Sequence, residues 1–269
     1  MDLETRKKEL FYISEQAWSI IKTGFGNVQS SEQKSKGDFV TDVDLRAEKK
    51  ILDYLSEKFP NDSLITEESD NKSGNSDFTW IVDPLDGTNN FLRGIPLCGV
   101  QIALLKDGKP VFGLLANLID DVVYFAERGK GAFITDFKFN KQIPIKVSNR
   151  PLNESMVIIS SNIAQDISNT QKSIIDSVFP SAASCRVFGV AVHEFPYIAR
   201  GNIEAVVSNH PKAMDITAGS LLIEEAGGKV TTYDGLAWFP EMKTIVASNG
   251  LIHDELLTLI EKGLKNLKP

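Results

Sequence analysis

The chain has 269 residues, of which 42% are hydrophobic and 24% are charged, and its formal net charge is −7. This length supports a substantial hydrophobic core, and the ordinary composition excludes disorder over most of the chain. The negative charge argues against a surface for duplex nucleic acid and against a basic membrane-binding patch.

The cellular compartment is indicated by the cysteines and by the start of the chain. Cys98 and Cys185 lie in apolar stretches without metal-ligand spacing, which is typical of buried thiols in a reducing compartment. The first residues lack an apolar signal core, and no segment reaches about 18 uninterrupted apolar residues. We therefore expect a soluble cytoplasmic protein.

The first part of the chain predicts two amphipathic helices and a strand. Apolar residues at helical spacing predict one helix over residues 3–24 and a second that Asp44 caps and that ends near Phe59. We expect Leu45 to face inward on this second helix. The segment 63–66 then predicts a short strand.

The segment Trp80–Phe91 reads Trp-Ile-Val-Asp-Pro-Leu-Asp-Gly-Thr-Asn-Asn-Phe. It predicts the end of a buried strand that stops at Asp83 and Pro84, followed by a helix with Asp86 as its N-cap. Carboxylates, the Leu85 carbonyl, a hydroxyl and unpaired amides would then meet at one point. Such oxygens suit divalent cations, and such amides suit a phosphate. The alternative is a turn and a capped helix with solvated acids.

The elements after this stretch complete the predicted fold. Strands over 98–105, 111–117 and 122–126, joined by glycine-containing turns, predict a largely antiparallel sheet. Strands alternate with helices further on. We expect one compact unit with an N-terminal half, residues 1–145, and a C-terminal half, residues 146–269. The fold class is an α+β layered sandwich that alternates helices with mixed or antiparallel sheets.

Several acids fall where predicted strands end or helices begin, and such places build sites in open α/β sheets. Clustered acids raise one another's pKa values unless cations compensate, so an oxygen-ligand Mg²⁺ site is the economical explanation. Two metals sharing a carboxylate would clamp the attacking water and the leaving oxygen of a phosphate ester. For Glu68 and Asp42, a structural role such as capping is the preferred interpretation. The seven acids at predicted strand ends or helix starts are Asp38, Asp44, Glu67, Glu68, Asp83, Asp86 and Asp215.

The chain resembles the inositol monophosphatase family of Mg²⁺-dependent, lithium-sensitive phosphatases. The resemblance covers nearly the whole length and rests on Asp38–Asp44, Glu67–Ser69, Trp80–Phe91 and Met214–Gly219, in that order. It implies the inositol monophosphatase/fructose-1,6-bisphosphatase-like fold, a homodimer, and hydrolysis of a small phosphorylated polyol, sugar or nucleotide by metal-activated water.

The resemblance also implies the metal ligands. Glu67, Asp83 and the Leu85 carbonyl would hold a first Mg²⁺, while Asp83, Asp86 and Asp215 would hold a second. Glu67 would help to bind a weaker third ion. Mn²⁺ is an expected substitute, and Li⁺ and Ca²⁺ are expected inhibitors.

The catalytic roles follow from the same resemblance. Thr88 and Asp44 would orient and deprotonate the attacking water, with Glu67 as a further catalytic residue. The Gly87 and Thr88 amides would hold the phosphate, and Asp38 would support the third metal.

The substrate side departs from the family pattern. Ser208 stands where inositol-specific members usually carry a glutamate, and Met214 replaces a frequent tryptophan. His210 and Lys212 bring positive charge beside the opening, which favours a permissive enzyme or a bulkier or doubly anionic substrate. The expected substrate contacts are Asp86, Gly87, Thr88, Gly189, Val190, Ala191, Ser208 and His210.

Several alternatives remain open. Within the family, fructose 1,6-bisphosphate, a 3′-phosphonucleotide or histidinol phosphate could be the substrate. An aspartyl-phosphate phosphatase is disfavoured because Asp83 and Asp86 are three positions apart with a proline between them. A non-catalytic regulatory binding protein on the same fold is the alternative from another class. His193 is interpreted as a satisfied helix histidine rather than a ligand.

Overall fold

A computed structural model describes residues 2–35, 38–161, 168–209 and 211–266. The helices are α1 (Leu3–Gly24), α2 (Asp42–Lys58), α3 (Thr88–Leu92), α4 (Ser168–Val178), α5 (Ala191–Ala199), α6 (Ala213–Glu225) and α7 (His253–Lys265). The strands are β1 (Ser31–Ser35), β2 (Asp38–Thr41), β3 (Ser63–Thr66), β4 (Phe78–Asp86), β5 (Gly99–Lys106), β6 (Lys109–Asn117), β7 (Val123–Glu127), β8 (Gly131–Thr135), β9 (Ile143–Pro144), β10 (Met156–Ser161), β11 (Ser184–Arg186), β12 (Ala205–Asn209), β13 (Lys229–Thr231) and β14 (Thr244–Ser248).

These elements form alternating layers of helices and sheets. Helices α1 and α2 cover one face of a seven-stranded sheet, and α6 lies between that sheet and a five-stranded sheet together with α5. Helices α4 and α7 cover the outer face of the second sheet. Hydrophobic clusters fill the spaces between the layers. The predicted α+β layered sandwich is confirmed.

The two sheets differ in strand direction. The seven-stranded sheet runs β3-β4-β5-β6-β7-β8-β9, and it is antiparallel except for the parallel pair β3 and β4. The five-stranded sheet runs β11-β10-β12-β14-β13, and β10 is parallel to both of its neighbours. Strands β1 and β2 form a separate hairpin. In the described part of the chain, no helix is both long and apolar enough to cross a membrane.

Helix α2 begins earlier than we predicted. Its N-cap is Thr41, whose hydroxyl accepts the N–H groups of Val43 and Asp44. Asp44 is therefore the third helical residue, and its carboxylate closes a capping box by accepting the Thr41 N–H at 3.0 Å. The shifted helix buries Val43 and leaves Leu45 51% exposed, so the prediction that Leu45 faces inward was wrong.

Strand β4 continues past the proline at which we expected it to end. An irregularity between Asp83 and Asp86 lets the strand pass Pro84 and resume pairing with β5. The N-cap of α3 is Gly87 rather than Asp86, because the Asp86 side chain is turned towards α5. Gly87 has φ 86°, and a Cβ there would lie 2.5 Å from the Leu97 carbonyl oxygen, so this corner requires glycine.

A second glycine sets the distance between α5 and α6. A Cβ at Gly219 on α6 would lie 2.3 Å from the ring of Phe195 on α5, so only glycine allows these helices to approach so closely. The first residues of both helices line the same cavity. The two cysteines are free, but only Cys98 is buried, since Cys185 on the short edge strand β11 is partly exposed.

Candidate active site

A cavity of about 220 Å³ opens where β4 ends and where α3, α5 and α6 begin. It gathers most of the residues that the sequence singled out. Asp44 lies beneath the lining, next to Thr88, and His210 lies outside the described residues. The lining includes Asp38, Glu67, Asp83, Leu85, Asp86, Gly87, Thr88, Gly189, Val190, Ala191, Ser208 and Asp215.

Four carboxylates dominate the electrostatics of this cavity. Burial, together with the charges of Glu67, Asp86 and Asp215, raises the pKa of Asp83 well above its usual range. Burial and Asp215 raise the pKa of Asp86 likewise, and burial and Glu67 raise that of Asp215. The Gln101 amide lies 3.4 Å from both Asp83 and Asp86 and donates to them. A cation would relieve this repulsion.

The donor set fits a hard divalent cation. It consists of the carboxylates of Glu67, Asp83, Asp86 and Asp215 and the buried Leu85 carbonyl, all of them oxygen ligands. Within the described ranges, no group of three His, Cys, Asp or Glu side chains is arranged so that it could hold a metal ion without adjustment. The residue types match a hard cation such as Mg²⁺, but the side chains as they stand do not form a complete ligand group.

Thr88 and Asp44 form a hydrogen-bonded pair at the wall of the cavity. The Thr88 hydroxyl lies 2.8 Å from Asp44 Oδ1 and 3.0 Å from the Leu85 carbonyl oxygen. The other carboxylate oxygen of Asp44 accepts the N–H and the hydroxyl of Thr41. Burial raises the pKa of Asp44 in spite of these hydrogen bonds. The pair combines a hydroxyl open to the cavity with a basic group behind it.

The loop 189–191 is held by an acid that the sequence analysis missed. Glu194 is buried in the first turn of α5, and its Oε1 accepts the N–H groups of Gly189 at 2.9 Å and Val190 at 3.4 Å. Burial raises its pKa to about 7. Asp86 ties the same region to β4 by accepting the Val192 N–H at 2.6 Å. An acid in a helical first turn was the available sequence signal.

The turn that carries Glu67 is fixed by a second missed acid. Glu48 is buried on α2, and its Oε2 accepts the Thr66 hydroxyl at 2.5 Å and the Glu68 N–H at 2.9 Å. The Glu68 carboxylate pairs with Lys34 at 2.7 Å. Glu68 thus makes a structural contact between the β1–β2 hairpin and the turn, although it caps no helix.

Asp38 and Asp42 have different surroundings. Asp38 lines the cavity, and its carboxylate lies 3.5 Å from the Lys34 ammonium. Asp42 instead accepts the Gln29 N–H at 2.8 Å and pairs with Arg46 at 3.0 Å. The structural interpretation of Asp42 agrees with these contacts.

Two serines line one side of the cavity. Ser208 on β12 is almost fully buried and is paired in register with Ser160 on β10, which also lines the cavity.

His193 is buried in α5 and does not line the cavity, and burial lowers its pKa to about 4. Its ring nitrogens lack a well-aligned hydrogen-bond partner among the described residues, although the backbone of Pro96 and Cys98 is near. His193 is therefore a core histidine rather than a residue of the cavity, with the backbone of Pro96 and Cys98 beside its ring.

The acidic cluster predicts an unusual pH dependence of stability. Asp83, Asp86, Asp215 and Glu194 have raised pKa values in the folded state, so the folded protein binds more protons than the unfolded chain as these groups titrate. Without divalent cations, we expect the free energy of unfolding contributed by them to fall as pH rises from about 4.5 to about 7. Urea unfolding in EDTA at several pH values in this range measures the free energy of unfolding. In saturating Mg²⁺, this free energy should depend less on pH. A trend in EDTA that falls no more steeply than the trend in saturating Mg²⁺ would contradict the prediction.

Comparison with known proteins shows which protein family the chain resembles along its length. A model described as "Inositol monophosphatase family" matches residues 2–265. An "Inositol-1-monophosphatase" of Mesorhizobium japonicum is 35% identical over 247 residues, which cover 89% of this chain and 90% of the relative. A "Fructose-1,6-bisphosphatase/inositol-1-monophosphatase" of Aquifex aeolicus is 31% identical, with 91% of each chain covered.

Solved structures agree with these sequence relatives. The extragenic suppressor protein suhB from Bartonella henselae superimposes with a TM-score of 0.88 at 33% identity, covering 97% of this chain and 99% of that chain. An IMPase/NADP phosphatase complexed with Mg²⁺ and phosphate gives a TM-score of 0.81 at 26% identity, covering 96% and 95%. With the family match along the chain and the acidic cavity in place, this protein belongs to the inositol monophosphatase family.

Proposed function

We propose that this protein is a Mg²⁺-dependent phosphomonoesterase that hydrolyses a small phosphorylated polyol, sugar or nucleotide. The proposal rests on one observation. The carboxylates of Glu67, Asp83, Asp86 and Asp215 line a single cavity, and the hydrogen-bonded Thr88–Asp44 pair lies at its wall. A structural protein would gain nothing from gathering four carboxylates in one cavity, where burial and charge repulsion raise the pKa values of Asp83, Asp86 and Asp215. The family membership supports the same activity.

The acids and one carbonyl would hold the metals. Glu67, Asp83 and the Leu85 carbonyl oxygen are proposed for one Mg²⁺, Asp83, Asp86 and Asp215 for a second, and Glu67 for a weaker third. When bound, Mg²⁺ supplies Lewis-acid stabilisation of phosphoryl oxygens and lowers the pKa of a nearby water. Mn²⁺ as a substitute and inhibition by Li⁺ and Ca²⁺ are part of the proposal.

The protein itself would prepare the nucleophile. The Thr88 hydroxyl donates to Asp44 Oδ1, so its oxygen lone pairs point to other partners and can accept a proton from an attacking water. Asp44 then receives the hydroxyl proton. The burial that raises the pKa of Asp44 makes this carboxylate a stronger base than an exposed one.

The phosphate would bind at the corner between β4 and α3. The Gly87 and Thr88 amides lie at the start of α3, where backbone N–H groups have no partner within the helix. The positive φ of Gly87 brings this backbone to the cavity wall. The Glu194-bound loop 189–191 would face the rest of the substrate.

A Mg²⁺-dependent hydrolysis screen tests the proposal directly. The substrates are inositol 1-phosphate, fructose 1,6-bisphosphate, a 3′-phosphonucleotide and histidinol phosphate. We expect phosphate release from at least one of them that stops in EDTA and returns with Mg²⁺. No release from any ester, at any Mg²⁺ concentration, would contradict the proposal and favour a regulatory binding protein on this fold. Size-exclusion chromatography checks the predicted homodimer.

Ser208 is expected to set the substrate preference. Replacing it with glutamate adds a charged acceptor for vicinal hydroxyls, and such hydrogen bonds are worth about 1.5–3 kcal/mol. We expect Ser208→Glu to raise kcat/KM for inositol 1-phosphate relative to fructose 1,6-bisphosphate by roughly tenfold to a hundredfold. Ser208→Gln separates charge from size. A wild type that already prefers inositol 1-phosphate strongly, and gains nothing from glutamate, would contradict this role.

A further inference from the structure

The Lys212 side chain occupies the acidic cavity as a cation of the protein itself. Lys212 immediately precedes α6, and its side chain lines the cavity with 35% of its surface exposed. Its ammonium lies 2.6 Å from Glu67 Oε1, and the Glu67 side chain is only 13% exposed. A proposed metal ligand is therefore already engaged by a positive charge from a residue 145 positions away.

The surroundings direct this ammonium into the acid cluster. It pairs with Glu67, and Asp215 and Asp38 line the same cavity. Lys34 approaches the same Glu67 oxygen only to 3.9 Å. Its ammonium is committed to Glu68 at 2.7 Å and to Asp38 at 3.5 Å. Lys212 is thus the closer cationic partner of Glu67.

We propose that Lys212 acts as a tethered cation that competes with a divalent metal ion for Glu67, and so makes one metal position of this site weak. This inference rests on the proposed function, because it takes Glu67 as a metal ligand. Tethering gives the ammonium a high effective concentration at the carboxylate. A metal ion that binds Glu67 must break the Lys212–Glu67 ion pair. The positive Lys212 ammonium then remains within a few ångströms of the metal ion and repels it. Lys212 is in this sense a positioning residue that tunes metal affinity.

The test is a Mn²⁺ titration of the metal-free, full-length protein, with free Mn²⁺ followed by electron paramagnetic resonance. The variants are Lys212→Gln, Lys212→Arg and the remote control Lys229→Gln. The Lys229→Gln variant loses the same positive charge, but Lys229 pairs with the exposed Asp254 instead of with Glu67. We expect Lys212→Gln to lower the Kd of the weakest Mn²⁺ site at least tenfold. Lys212→Arg and Lys229→Gln should stay within about twofold of wild type, since a tenfold change corresponds to 1.4 kcal/mol.

The outcomes separate the inference from the function on which it rests. An unchanged or raised Kd in Lys212→Gln, with Mn²⁺ still bound by wild type, would overturn the role of Lys212 alone. An equal gain in Lys229→Gln would also overturn it, because net charge rather than the Glu67 contact would then be responsible. Absence of Mn²⁺ binding and of Mg²⁺-dependent hydrolysis in wild type would overturn the proposed function itself. Thermal unfolding of each variant in EDTA confirms that the compared proteins are folded.

Discussion

Replacement of Asp86 by asparagine is expected to abolish Mg²⁺-dependent hydrolysis while leaving the fold intact. The change removes one negative charge from the shared ligand cluster but keeps the shape of the side chain. The amide oxygen of asparagine can still accept the Val192 N–H, which Asp86 Oδ2 accepts at 2.6 Å, so the link between β4 and α5 survives. Relief of the repulsion with Asp215 should stabilise the metal-free protein at neutral pH.

The measurements are kcat over a Mg²⁺ series extended to saturation and urea unfolding in EDTA. Asp53→Asn is the matched control, since Asp53 lies on the exposed face of α2 and pairs only with the exposed Lys49 among the ion pairs of the described residues. It should keep wild-type activity. Activity of Asp86→Asn at saturating Mg²⁺ would remove Asp86 from the metal ligands.

Loss of the Thr88 hydroxyl is expected to reduce kcat by roughly 10²-fold or more, the usual scale of general-base assistance. Thr88→Ala removes the group that lies 2.8 Å from Asp44 Oδ1 without disturbing a capping interaction of α2. Asp44→Asn should cause a similar loss in kcat. It should also destabilise the protein, because Asp44 accepts hydrogen bonds at both carboxylate oxygens, from Thr41 in the capping box and from Thr88, whereas asparagine offers only one acceptor oxygen.

The double variant tests whether the two residues act as a unit. If both serve one water, Thr88→Ala with Asp44→Asn should lose little more kcat than either single variant. Thr88→Ser keeps the hydroxyl and should retain most of the activity. Fully multiplicative losses would assign Thr88 and Asp44 to separate functions. Unfolding curves of each variant distinguish loss of folded protein from loss of catalysis.

The sequence by itself determined the local structure and the residue types of the site. The apolar periodicity of α1, the strand β3 and the alternation of strands and turns through β5–β7 are encoded by neighbouring residues, and the observed elements match them closely. The segment Trp80–Phe91 likewise brings Asp83, Leu85, Asp86 and Thr88 together within a few positions. Any fold that forms this strand and turn keeps those groups near one another.

Boundaries were less predictable because they depend on competing side chains. Asp44 and Asp86 both have the chemistry of an N-cap, and each loses the position to a neighbour. Thr41 caps α2 because its hydroxyl reaches two backbone N–H groups. Asp86 is instead engaged by Val192, which lies 106 positions further along the chain. Local propensity cannot show which partner a carboxylate will find.

Only the tertiary structure decided which distant charges share the cavity. Glu48 fixes the turn after β3, Glu194 holds the loop 189–191, and Lys212 pairs with Glu67. These contacts join residues on separate layers, and no periodicity or spacing records them. The packing of α5 against α6 through Gly219 and Phe195 brings the helix starts together. The raised pKa values of Asp83, Asp86 and Asp215 then follow from burial and charge repulsion, which arise only in the folded chain.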